Sequence, residues 1–197
     1  MTQPRTTRPS LASYAVAAAL TAVTALSACG GGARAEQPVC DEECYDVIAL
    51  RAVREQMKVI FNLTLQGKPV GAYDITVPCP LGGRARIFGS ATSNAEQGST
   101  FVDLTYVVEA CTLLQEDQDP KKSYRLTITG TLTQKGVLAV QPTSTSAVSI
   151  QSDALTVSGT VYEPPVPYEA AACVVRLGQN GSRISGDFCG RERTVDL

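Results

Sequence analysis

The sequence predicts an α+β fold, mainly β: one N-terminal helix packed on a strongly curved antiparallel meander of seven or eight strands, stapled by disulfides. Three observations predict it. A single helical periodicity occupies residues 41–61, apolar–polar alternation fills most of the chain after Gly67, and glycines recur in mid-strand on the apolar side.

The first 28 residues have a different character. Met1–Ser10 carries only positive charge, at Arg5 and Arg8, and Leu11–Ala28 runs eighteen residues without a charge before ending in the small pair Ser27-Ala28. A positive head, an apolar middle and a small exit are the layout of a secretory leader. The run is mostly alanine with serine and threonine mixed in, too weakly apolar for a permanent span, and no second such stretch follows. Leu26-Ser27-Ala28-Cys29 at the exit resembles the lipobox of bacterial lipoproteins. The resemblance implies cleavage before Cys29, a diacylglycerol on its sulfur and an acyl chain such as palmitate on its new amino group. Two or three chains, at ~0.8 kcal/mol per buried methylene, hold a protein firmly to a membrane. In the enterobacterial sorting pattern an aspartate after the lipidated cysteine retains the protein at the inner membrane. Gly30 stands there, which implies the outer membrane of the cell envelope.

Three segments follow from this reading: a removed leader, 1–28; a lipidated, flexible tether, 29–39, rich in glycine; and one domain, 40–197. Removal of the leader leaves 197 − 28 = 169 residues and, with Arg5 and Arg8 gone from 17 cations against 19 acids, a charge of 15 − 19 = −4. That balance, with no basic cluster, argues against a nucleic-acid partner. The six cysteines besides Cys29 are Cys40, Cys44, Cys79, Cys111, Cys173 and Cys189. In an exported chain six cysteines form three bridges, in any of fifteen pairings. The chain has no histidine and no Cys-x-x-Cys pair, so a zinc site is not expected. Cys40 and Cys44 are expected to take separate partners, because a helical turn between them does not suit a mutual bridge; one of them would then bolt the helix to the sheet.

In the helix, Val47, Leu50, Val53, Met57, Ile60 and Phe61 recur at three- and four-residue spacing, with Asp46, Arg51, Arg54, Glu55 and Lys58 elsewhere. Asp41, Glu42 and Glu43 fall in its first turn, where negative charge suits the helix dipole. The strand faces come in order: Tyr73–Cys79, Ala85–Ala91, Val102–Ala110, Tyr124–Leu132, Leu155–Val161, Cys173–Leu177 and Ile184–Phe188. Asn180-Gly181 marks a hairpin, and Ser152-Asp153 is expected to turn Val148–Ile150 back into Leu155–Val157. Gly89, Gly130, Gly159 and Gly186 all fall on the apolar faces. Removing side chains there lets a sheet bend and another element approach, and the helix is the expected element.

Chemistry is sparse. Without histidine, a Ser-His-Asp or Cys-His arrangement is impossible, no Ser-x-x-Lys occurs, and the glycines are separated in strands rather than gathered into a phosphate loop. Glu116–Pro120 lacks the later acids and glycine of a calcium loop and reads as a hairpin loop. Tyr162–Tyr168, rich in proline, reads as a stiff connection. No catalytic residue, cofactor or metal is therefore expected. Cys79-Pro80-Leu81-Gly82-Gly83, with Cys189-Gly190, is similar to small envelope lipoproteins of high-GC bacteria, a resemblance that implies no activity. The expected function is a non-catalytic binding or structural module with an envelope protein as partner. A bent sheet over a helix also resembles lipid-binding and lipoprotein-carrying envelope proteins, which implies an apolar ligand if a cavity lies between the two. An envelope hydrolase would need a pocket of converging acids that no motif proposes.

Overall fold

The computed structural model describes residues 40–94, 99–139 and 146–197. The leader, Cys29 and the tether lie outside the described residues. One helix, α1 (Glu42–Leu65), precedes eight strands: β1 (Gly71–Pro78), β2 (Arg84–Asn94), β3 (Ser99–Gln115), β4 (Tyr124–Ala139), β5 (Ala147–Val161), β6 (Val166–Asn180), β7 (Arg183–Phe188) and β8 (Arg191–Asp196). They form one sheet in the order β1 to β8, every neighbour antiparallel, and the sheet is not closed. The α+β, mainly β, curved meander on one helix is the observed architecture. No described helix is long and apolar enough to cross a membrane.

The helix begins where Asp41, in extended conformation, accepts a hydrogen bond from the Cys44 amide at 3.0 Å, and it ends before Gly67, at φ +75°. It runs one turn beyond Phe61, through Leu65. Its burial is wider than an amphipathic stripe. Ile48, Ala49 and Ala52 are buried along with Leu50, Val53, Met57 and Ile60, whereas Val47 and Phe61 are only half-buried. A helix covered over most of its circumference sits in a concavity rather than on a surface. The polar residues Arg51, Arg54, Glu55, Lys58 and Asn62 form the stripe left uncovered. From the strands, Ile87, Leu104, Tyr106, Leu126, Leu155 and Phe188 complete the core.

Several strands differ from expectation for identifiable reasons. Val148–Ile150 and Leu155–Val161 belong to one strand, β5. Ser152-Asp153 is not a turn: its pairing with β6 shifts between Ser152 and Leu155, so extra residues form an irregularity rather than a reversal. The count of eight is reached instead by β8, Arg191–Asp196, whose one buried apolar residue, Val195, left little alternation to read. Asn180 is the last paired residue of β6, opposite Arg183, so the two-residue turn is Gly181-Ser182 with Gly181 at φ +60°. Ala110 is exposed rather than inward, because a bulge between Val108 and Cys111, with Ala110 at φ +49°, restores the inward position to Cys111.

The bridges are Cys40–Cys44, Cys79–Cys111 and Cys173–Cys189. The expectation that Cys40 and Cys44 have separate partners is overturned. Cys40 precedes the extended Asp41 and stands outside the helix, and the chain folds back so that the two Cα atoms are 5.2 Å apart, within disulfide reach. No bridge therefore bolts α1 to the sheet. The other two bridges tie the β1–β2 connection to β3 and β6 to the β7–β8 turn.

The mid-strand glycines also need a different account. At Gly89, φ is +131°, and a Cβ there would collide with the carbonyl oxygen of Asp103 on β3; at Gly159, φ is +142°, and the collision is with Arg125 on β4. The missing side chains would point along the sheet into the paired strand, not at the helix. Gly130 and Gly186 meet neighbouring strands in the same way, as does Gly136, which lies past the expected end of its strand. The element that approaches closely is therefore the adjacent strand, drawn in where the chain kinks, and the kinks curl the sheet around the helix.

Candidate functional site

Two polar assemblies stand at the seam between helix and sheet. The first is centred on Asp46, 1% exposed. Its spacing of four, seven and eleven residues from Leu50, Val53 and Met57 puts it on the buried face of α1. Arg193 donates to Oδ2 through Nε at 3.0 Å and Nη2 at 2.9 Å. Arg191 Nε lies 3.2 Å from the same oxygen, and Arg191 Nη1 lies 3.3 Å from Glu42. Tyr168 donates its hydroxyl to Oδ1 at 3.0 Å. Burial, then the charge of Asp46, pushes the Tyr168 phenol well above its ordinary range, so it stays a donor. This cluster holds the helix start to β8 and β6 with every carboxylate oxygen engaged. It is a clamp rather than an open site.

A second buried contact secures the middle of the helix: Gln56 donates to the Cys111 carbonyl at 3.1 Å, beside the Ala110 bulge. Further along, Tyr106 donates to Gln134 Oε1 at 2.6 Å, and burial raises its phenol pKa strongly.

The second assembly is open. The uncovered stripe of α1 borders a cavity of about 600 Å³, with Arg51, Arg54, Glu55 and Lys58 on the helix side and Lys122, Leu138 and Gln179 among the residues across from it. A neighbouring cavity of about 440 Å³ adjoins it, lined by Met57, Phe61, Leu138 and Ile150 among others. The two share Arg54, Lys58, Leu138 and Gln179 and so form one groove. Glu55 pairs with Arg54 and, at 3.3 Å, with Lys58. Tyr124 lies nearby; burial, then the charge of Glu55, pushes its pKa up to about 12.

Of the residues singled out in the sequence, the six domain cysteines are paired and the glycines shape the sheet, so none of them lines this groove. Asp117 and Asp119 accept from the backbone amides of Asp119 and Lys121, at 2.9 and 3.0 Å, and make a loop turn. Among the described residues no group of three His, Cys, Asp or Glu side chains is placed to hold a metal. The stripe from Arg51 to Asn62 is visible in the sequence as the polar side of the helix. That it borders a groove depends on the curl of the sheet, which brings Leu138, Ile150 and Gln179 opposite it. The chain matches no family model, no curated protein and no solved structure.

Proposed function

We propose that the protein is a lipid-anchored, non-catalytic binding module of the bacterial cell envelope, held at the outer membrane through acyl chains on Cys29. The single observation that carries the binding half of this reading is the groove along α1. It is concave and of ligand-binding size, and it is held by a rigid frame of a buried helix, a curled sheet and three bridges. The anchor half rests on Leu26-Ser27-Ala28-Cys29 at the end of an uncharged leader and on cysteines paired as an oxidising compartment allows.

The carrier reading, with an apolar ligand enclosed between sheet and helix, has lost its support. That volume is filled by Ile48, Leu50, Val53, Met57 and Ile60, each 2% exposed or less. Only the flank of the helix remains open to a ligand.

The anchor is tested by labelling cells with a clickable palmitate analogue and weighing the mature N-terminal peptide by mass spectrometry. The expected result is a triacylated Cys29, a membrane-bound protein, and loss of both label and membrane association in Cys29→Ser. An unacylated, soluble wild-type product would overturn it.

A further inference from the structure

We propose that the groove beside α1 binds an amphipathic anion: a single aliphatic chain with an anionic head, the head on Arg51 and the chain along Phe61 and Leu138. This rests on the reading of the domain as a binding module and names its ligand class.

Charge decides the sign of the ligand. Arg54 and Lys58 share the one carboxylate of Glu55, so the triad retains a positive charge. Arg51, one helical turn before them and half-buried, has no carboxylate within ion-pair distance among the described residues. Lys122 on the opposite wall leans on Asp119 at 3.7 Å, outside the groove lining. At the rim, beside the terminal residue Leu197, Asp196 is occupied by Arg183 at 3.1 Å, and Asp41, Glu43 and Asp119 line an adjoining cavity with Arg51 without forming an ion pair with it. A partly desolvated guanidinium with no paired carboxylate among the described residues gains from an incoming carboxylate or phosphate, which its planar fork can hold with two hydrogen bonds.

The apolar part follows from what adjoins the head site. The shared stretch at Arg54 and Lys58 offers the aliphatic stems of both side chains, and these lead to the half-buried Phe61 and Leu138, with the buried Met57 and Ile150 behind them. From Arg51 to Phe61 the helix rises about 15 Å, the span of a medium-length alkyl chain lying along its axis. Each of the two cavities falls in the volume range of small-molecule sites. A small hydrophilic anion would leave the apolar wall unused, and an apolar ligand without a head would leave Arg51 unpaired.

The test is isothermal titration of the full chain carrying Cys29→Ser with dodecanoate, dodecyl phosphate and dodecyltrimethylammonium, each below its critical micelle concentration. One-to-one binding of both anions is expected, at least about tenfold tighter than the cation of equal chain length. Arg51→Gln should weaken the anions about tenfold while leaving the unfolding midpoint unchanged, and Arg51→Lys should restore part of the loss. Phe61→Ser should weaken anions and cation alike, preserving the ratio between them. The proposal is overturned if neither anion binds, if the cation binds as tightly, or if Arg51→Gln binds the anions like the parent. The acylation experiment is independent of these outcomes, so a wrong ligand class and a wrong anchor give different results.

Discussion

Remove the negative charge of Asp46 and the largely buried guanidinium of Arg193 loses its partner, while Arg191, 41% exposed, keeps access to solvent. Breaking a buried pair by taking one partner away costs about 3–5 kcal/mol, because the remaining charge keeps its desolvation penalty and loses its compensation. Asp46→Asn, which preserves the shape, is therefore expected to lower the unfolding free energy by about 3 kcal/mol or more in a urea titration followed by circular dichroism. A loss below about 1 kcal/mol would mean that the clamp is a solvated surface pair. The residue was legible in one sense only. Its spacing from Leu50, Val53 and Met57 marks the buried face, but an acid beside Arg51, Arg54 and Glu55 reads as part of the wet face unless its register is followed. Nothing local announces its partners, since Arg193 lies 147 residues further along the chain. The Cys40–Cys44 bridge is hidden for a related reason: the spacing implies a helical turn, but the helix begins after the first of them.

At the scale of strands, the kinks depend on glycine because no other residue tolerates both the backbone angle and the proximity of the paired chain. Gly89→Ala places a methyl group against the Asp103 carbonyl at φ +131° and is expected to cost roughly 2–4 kcal/mol. Gly178→Ala is the control within the same sheet. No atom lies within 4 Å of the Cβ it would introduce, and its φ is outside the strained range, so the change should stay within about 0.5 kcal/mol. Equal effects at the two positions, measured by denaturant unfolding, would remove the argument that close strand approach selects the glycines. Most strands were readable because one face is buried and alternation is the direct trace of that burial. β8 was not, since only Val195 among its six residues is both apolar and buried. The Ala110 bulge leaves little trace in the sequence, because one additional residue shifts the alternation with Glu109 as the only polar residue in Val107–Ala110. The direction of the glycine vacancies is not legible in the sequence, because alternation assigns a face by assuming ordinary strand angles and these residues do not have them.

For the domain as a whole, the three bridges close chain segments of very different length, with sequence separations of 32 for Cys79–Cys111, 16 for Cys173–Cys189 and 4 for Cys40–Cys44. Restricting the unfolded chain then contributes about 4, 3 and 2 kcal/mol respectively. Removing each pair by double Cys→Ala substitution should lower stability in that order. A reversed order would show that local packing at the cysteines outweighs chain entropy. The groove belongs to this scale too, because its helix wall was legible while its opposite wall exists only once the sheet has curled. The meander runs without a crossover from the first strand to the last, yet the helix synthesised before all of them is gripped by Arg191 and Arg193 near the other terminus. A ribosome releases Asp46 long before its counter-ions exist. The native clamp can then close only after nearly the whole polypeptide has emerged, so the start of the helix waits for the end of the chain before its buried charge is compensated.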